Sequence, residues 1–127
     1  MSESGFYDPQ LERVFPKYAT VGDDGVLAIG GCSVPELADE FGTPLYGMDE
    51  QGLRERMRDY REGLAARWPN SQVTFASKSL PVMALYAIAE SEGLAIDVAG
   101  AGELLLALEA GVNPAIIHLP GNAKSVE

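Results

Sequence analysis

From Pro44 onward the chain alternates short apolar runs with longer amphipathic stretches, and this alternation limits the folds open to it. The apolar runs are Pro44–Met48, Gln72–Ala76, Leu94–Val98 and Ala115–Leu119. Each is short, bounded by turn residues and nearly free of charge, as strands covered on both faces are. In the first intervening stretch Leu53, Met57, Tyr60 and Leu64 recur at helical spacing, with Arg54, Glu55, Arg56, Asp59 and Arg61 opposite. Asp49 is placed to cap this helix, and Pro69-Asn70 to break it. Pro81 suits the first turn of a second helix, with Met83, Ala84, Ala87 and Ile88 as its inner face and Gly93 as its stop. Gly100 to Gly102 reads as a tight entry into a third helix, with Leu104, Leu105 and Leu108 apolar and Gly111 ending it.

The order β-α-β-α-β-α-β predicts an α/β fold with parallel strands and right-handed crossovers. Two architectures meet it: an open doubly wound sheet, or the first units of a (β/α)8 TIM-type barrel. A complete barrel takes about 250 residues. With 127 residues, a barrel chain would be an N-terminal piece.

Ahead of this series the signals are local. Gly22-Asp23-Asp24-Gly25 marks a turn, and Val26–Ile29 a short β-prone run closed by Gly30-Gly31. Ser33 can cap a short helix, with Pro35 in its first turn and Glu36 three residues on, as in a capping box. Leu37, Ala38 and Phe41 give that helix an apolar side, and Gly42 ends it. Phe6, Tyr7, Leu11, Val14, Phe15 and Tyr18 have no clean period, and Pro9 and Pro16 interrupt them. They read as a leader that packs onto something else.

Composition narrows the function classes. A 46% hydrophobic and 22% charged chain is globular. Nine basic against 19 acidic residues give a net charge of −10, which argues against nucleic acid and anionic membrane surfaces as partners. The single cysteine, Cys32, cannot form an internal disulfide, and this suits a reducing compartment. The N-terminus has acids where a signal peptide has basic residues, and no run approaches the roughly 18 apolar residues of a spanning helix. A soluble cytoplasmic protein is expected.

In parallel α/β folds the reactive groups collect where strands end. Lys78 follows the run Phe75-Ala76-Ser77. A strand-end lysine, partly desolvated, can lose its proton and bond an aldehyde; on position alone it reads more often as a solvated loop residue. Asp97 is the one charge inside its strand and is suited to face a cationic group such as a protonated lysine or pyridine ring. Without other information, a strand-end Asp more often simply bonds the next loop. Gly100-Ala101-Gly102 lacks the spacing of a dinucleotide or Walker loop, and Glu103 is explained by the helix dipole. His118, the only histidine, has no partner histidine or cysteine cluster, so no metal site is expected.

Taken in order, these residues resemble the N-terminal part of diaminopimelate decarboxylases, in the group of pyridoxal-phosphate decarboxylases with the alanine-racemase-like barrel. The resemblance runs over residues 25–127. It is carried by Val26–Gly31, Glu36-Leu37-Ala38, Phe41–Tyr46, Phe75–Lys78, Gly93–Val98, Gly102-Glu103-Leu104, Ala107-Leu108, Ala110-Gly111 and Gly121–Ser125. The chain departs from the group at Gly100, where serine is usual, at Pro120, where histidine is frequent, and at Gly47-Met48, where a bulkier β-prone pair is usual.

The resemblance implies that Lys78 holds pyridoxal 5'-phosphate as a Schiff base and that Asp97 lies in the cofactor pocket. It implies that residues 1–43 belong to a second, β-rich domain and residues 44–127 to the incomplete barrel. It further implies decarboxylation of meso-diaminopimelate to L-lysine with release of carbon dioxide, by a homodimer when full length. On this reading the 127 residues alone are inactive. A related decarboxylase of ornithine or arginine, or a non-catalytic homologue that binds a partner protein, are the alternatives; the second would be expected to lose Lys78.

Overall fold

The computed structural model describes residues 14–121. The leader residues before Val14 and the turn beyond Gly121 lie outside them. The chain divides into two compact units, one up to Glu55 and the other from Arg56.

The first unit is built by turns. Asp24 Oδ1 accepts the Val26 amide at 3.0 Å, and the Gly25 amide closes on the Gly22 carbonyl at 2.9 Å. This folds β1 (Ala19–Val21) onto β2 (Leu27–Ile29), antiparallel, with Thr20 opposite Ala28. A second reversal brings β3 (Cys32–Ser33) onto the other edge of β2. The β-prone run at Val26–Ile29 therefore pairs with part of the leader. A three-residue strand is too short to show a period, which is why β1 is invisible in the sequence pattern.

Ser33 ends β3 and opens α1 (Val34–Phe41), its hydroxyl accepting the Glu36 amide at 3.5 Å; the Gly42 amide closes the far end on Ala38 at 2.8 Å. Pro44–Met48, expected as a strand, is not one: Leu45, Tyr46 and Met48 are exposed and no ladder forms there. A strand exists only with a pairing partner, and among the described residues this run has none. Asp49 caps α2 (Glu50–Ala65) as expected, its Oδ1 accepting the Gly52 amide at 3.1 Å.

In the second unit β4 (Thr74–Ala76), β5 (Ala95–Asp97) and β6 (Ile117–His118) form a parallel sheet in the order β4-β5-β6. The connecting helices are α3 (Met83–Ser91) and α4 (Ala101–Glu109). Gly93 (φ 78°) and Gly111 (φ 81°) end them in the left-handed conformation that residues with a Cβ rarely adopt. The core is Leu85, Tyr86 and Ala89 of α3, Leu94 to Ile96 and Val98 around β5, and Ala107 and Val112. The Tyr86 ring meets Phe75 edge-on at 6.5 Å. Arg58 pairs with the Glu92 carboxylate at 2.9 Å, and Arg61 donates to the Glu92 carbonyl, tying α2 to the end of α3.

The helix faces correct the expectation in part. In α2 Met57 is buried and Leu53 and Leu64 half-buried, but Tyr60 is exposed. In α3 the inner residues are Leu85, Tyr86 and Ala89, whereas Met83, Ala84 and Ala87 are exposed. In α4 Ala107 is buried, and Leu105 and Leu108 are exposed. Both helices are apolar nearly all round, so periodicity has no polar face to set against the inner one. The entry into α4 does not depend on glycine either: Gly100 is extended, and a Cβ at Gly100 or Gly102 would meet nothing within 4 Å.

Candidate functional site at the strand ends

The sheet register brings the expected residues to one edge. Phe75, Ile96 and Ile117 share one rung, and Ala76, Asp97 and His118 share the next, at the C-terminal tips. Neighbouring strands stand about 4.8 Å apart, so that rung spans roughly 10 Å. Lys78 lies two residues beyond Ala76, in a single 3-10 turn, Ser77–Ser79.

That turn is anchored on both sides of the lysine. Ser77 is fully buried and its hydroxyl donates to Glu103 Oε2. Ser79 Oγ donates to the Ala76 carbonyl at 2.9 Å, and the Leu80 amide closes on the Ser77 carbonyl at 3.1 Å. Lys78 itself is exposed, so the desolvation invoked for a strand-end nucleophile is not supplied by the described residues. Its amine stands within electrostatic reach of Glu103.

Asp97 is half-buried, and its Oδ1 is shut away from solvent with no hydrogen-bond partner among the described residues. An unpaired buried carboxylate oxygen is costly and marks a place for a donor or cation. His118 is exposed, and its carbonyl accepts the Val98 amide at 2.8 Å.

Two residues escaped the sequence reading. Glu103, in the first turn of α4, accepts the Ala99 amide at 2.7 Å as well as the Ser77 hydroxyl. The Ala99 amide first, then the Ser77 hydroxyl, with the Lys78 charge adding, hold its carboxyl below the usual carboxylate range. The dipole account of Glu103 is thus incomplete. Its position, third in the helix and reaching back toward the preceding backbone, is half of a capping box, and that signal was available. Ser77, beside the lysine, had no such signal.

The family model described as "Pyridoxal-dependent decarboxylase, pyridoxal binding domain" matches residues 50–127. The chain belongs to this family. Diaminopimelate decarboxylase of Synechocystis sp. is 42% identical over 91% of this decarboxylase-family chain and 27% of its own length. That of Bacillus subtilis is 41% identical over 81% of this chain and 24% of its own. The chain therefore spans about a quarter of the length of the curated relatives it matches. Among solved structures, diaminopimelate decarboxylase from M. jannaschii superposes with a TM-score of 0.72 at 26% identity, over 87% of this chain and 26% of that one. The same protein has been solved in co-complex with L-lysine, at the same score. The α/β fold of this family member thus matches the N-terminal part of a pyridoxal-phosphate decarboxylase of the TIM-barrel type, not a free-standing open sheet. Pyridoxal phosphate is the cofactor that this membership implies.

Proposed function

We propose that this chain contributes the cofactor-anchoring part of an enzyme that decarboxylates meso-diaminopimelate to L-lysine, with Lys78 as the covalent anchor for pyridoxal phosphate. One observation carries the reading: an exposed amine, Lys78, on an anchored turn at the same sheet edge as the unpaired carboxylate oxygen of Asp97. An aldehyde cofactor needs an amine to bond, and a buried carboxylate oxygen without a partner marks a place for one of its donors or for a cation. Relatives named diaminopimelate decarboxylase, and the complex of one with L-lysine, support the substrate.

A pyridoxal phosphate held there would supply an electron sink for the pair left when the carbon–carbon bond to the leaving carbon dioxide breaks. Lys78 Nζ would hold the cofactor covalently, and as a free amine would carry the proton that replaces the lost carboxylate. Asp97 Oδ1, buried with no hydrogen-bond partner among the described residues, would offer an acceptor within the cofactor pocket. Residues 1–43 belong to a β-rich domain and 44–127 to the barrel, and the active protein is a cytoplasmic homodimer.

The test is borohydride trapping. The protein at its native length, incubated with pyridoxal phosphate and reduced, is expected to carry the label on the peptide containing Lys78. Lys78→Ala should abolish both label and visible absorbance, and cut carbon dioxide release by at least about a thousandfold, as loss of a covalent catalyst does. Label retained in Lys78→Ala would sink the assignment.

A further inference from the structure

The contact between the lysine turn and α4 is more than a helix cap. Ser77 is fully buried directly before the exposed Lys78, and its hydroxyl is committed to Glu103. Glu103 also accepts the Ala99 amide, two residues past Asp97. One carboxylate thus joins the loop after β4 to the loop after β5, the two loops next to the candidate cofactor residues.

We propose, resting on the function proposed above, that Glu103 is a positioning residue: by accepting from both the Ser77 hydroxyl and the Ala99 amide, its carboxylate pins the turn that carries Lys78. Held below the usual carboxylate range, in part by Lys78, the Glu103 carboxyl stays ionised throughout the neutral range. The other titratable groups at this edge are Asp97 on β5 and His118 on β6. The first turn of α3 brings no acidic residue.

The experiment uses the protein at its native length, and its readout is the visible band of bound pyridoxal phosphate. Glu103→Ala loses both bonds and should slow attachment of the cofactor to the apo-protein, read as growth of that band, by about three- to tenfold through loss of orientation. In Glu103→Gln the amide oxygen can still accept from Ala99 and Ser77, so the wild-type rate should return. Ser77→Ala keeps the Glu103 carboxylate and releases the turn, and should slow attachment to a similar extent. A wild-type attachment rate in Glu103→Ala or in Ser77→Ala, or a Glu103→Gln as slow as Glu103→Ala, overturns the proposal. Should Glu103→Ala not fold, the Ser77→Ala rate alone decides. Failure of wild-type protein to take the borohydride label at Lys78 overturns the parent function and this role with it; a labelled wild type with unaltered variants overturns this role alone.

Discussion

The two units hold their shape by different means. In the sheet β1-β2-β3 only Ala19 is buried, and all three residues of β2 are half-buried. In the sheet β4-β5-β6 the central strand contributes Ala95 and Ile96, both without any exposed surface, and α3 seals Tyr86 and Ala89 equally well. The first unit rests on turn chemistry and surface bonds: the Asp24 turn, the Ser33 cap, and the Glu55 carboxylate taking both the Lys17 ammonium and the Tyr18 hydroxyl. The second rests on excluded water. Local bonds choose a conformation at a net gain of about 1 kcal/mol each, whereas filling a core carries most of a domain's stability.

If this contrast holds, Ile96→Ala should be the most damaging of a graded set. A fully enclosed isoleucine cut to alanine costs about 2–5 kcal/mol, read by urea unfolding. Ile29→Ala, in the half-buried β2, should cost about 1 kcal/mol by the same measurement. Equal costs at the two sites would erase the distinction.

Ser33→Ala probes the local bonds themselves. Its cap is long, so the loss should sit at the lower end of the usual range, about 0.5 kcal/mol. It should appear as faster hydrogen exchange over residues 34–41, with β4 to β6 unaffected. Loosening of both sheets together would mean that the units do not separate as described.

The smallest effect is electrostatic. Hydrogen bonds from Lys17, then Tyr18, pull the Glu55 carboxyl from 4.5 down to about 2. A folded value below the unfolded one adds stability that is complete above pH 4.5 and lost as the pH falls towards 2. Hydrogen exchange in β1 and β2 should therefore quicken over that window, less steeply in Glu55→Gln and at high salt, because the pair is exposed. A window that the variant leaves unchanged would assign the acid sensitivity to other carboxylates.

These contrasts also explain what could be read from the sequence. Helix limits were legible at Ser33, Gly42, Asp49, Gly93 and Gly111, because caps and stops are encoded by residues adjacent in the chain. The strands within 72–76, 94–98 and 115–119 were legible from apolar runs between turns, though shorter than those runs. Pro44–Met48 has the composition of a strand but no partner among the described residues, and pairing is not written in composition. The inner face of α3 was misread because apolar residues occur nearly all round it. At the site, the positions of Lys78 and Asp97 followed from the rule that parallel strands present their groups at their ends. The bond from Ser77 to Glu103 did not, since it joins residues 26 apart and is set by how the crossover through α3 returns the chain.

That bond has a consequence for reach. A lysine on a loose loop searches with its backbone as well as its side chain, and its amine is diluted over the whole swept volume. Here the residue before Lys78 is sealed in the core and the residue after it is tied back to Ala76, so only the four-carbon stem is left to move. The amine becomes a short tether on a fixed post. Its search is confined to what that stem can reach, and the local concentration of amine there is correspondingly high.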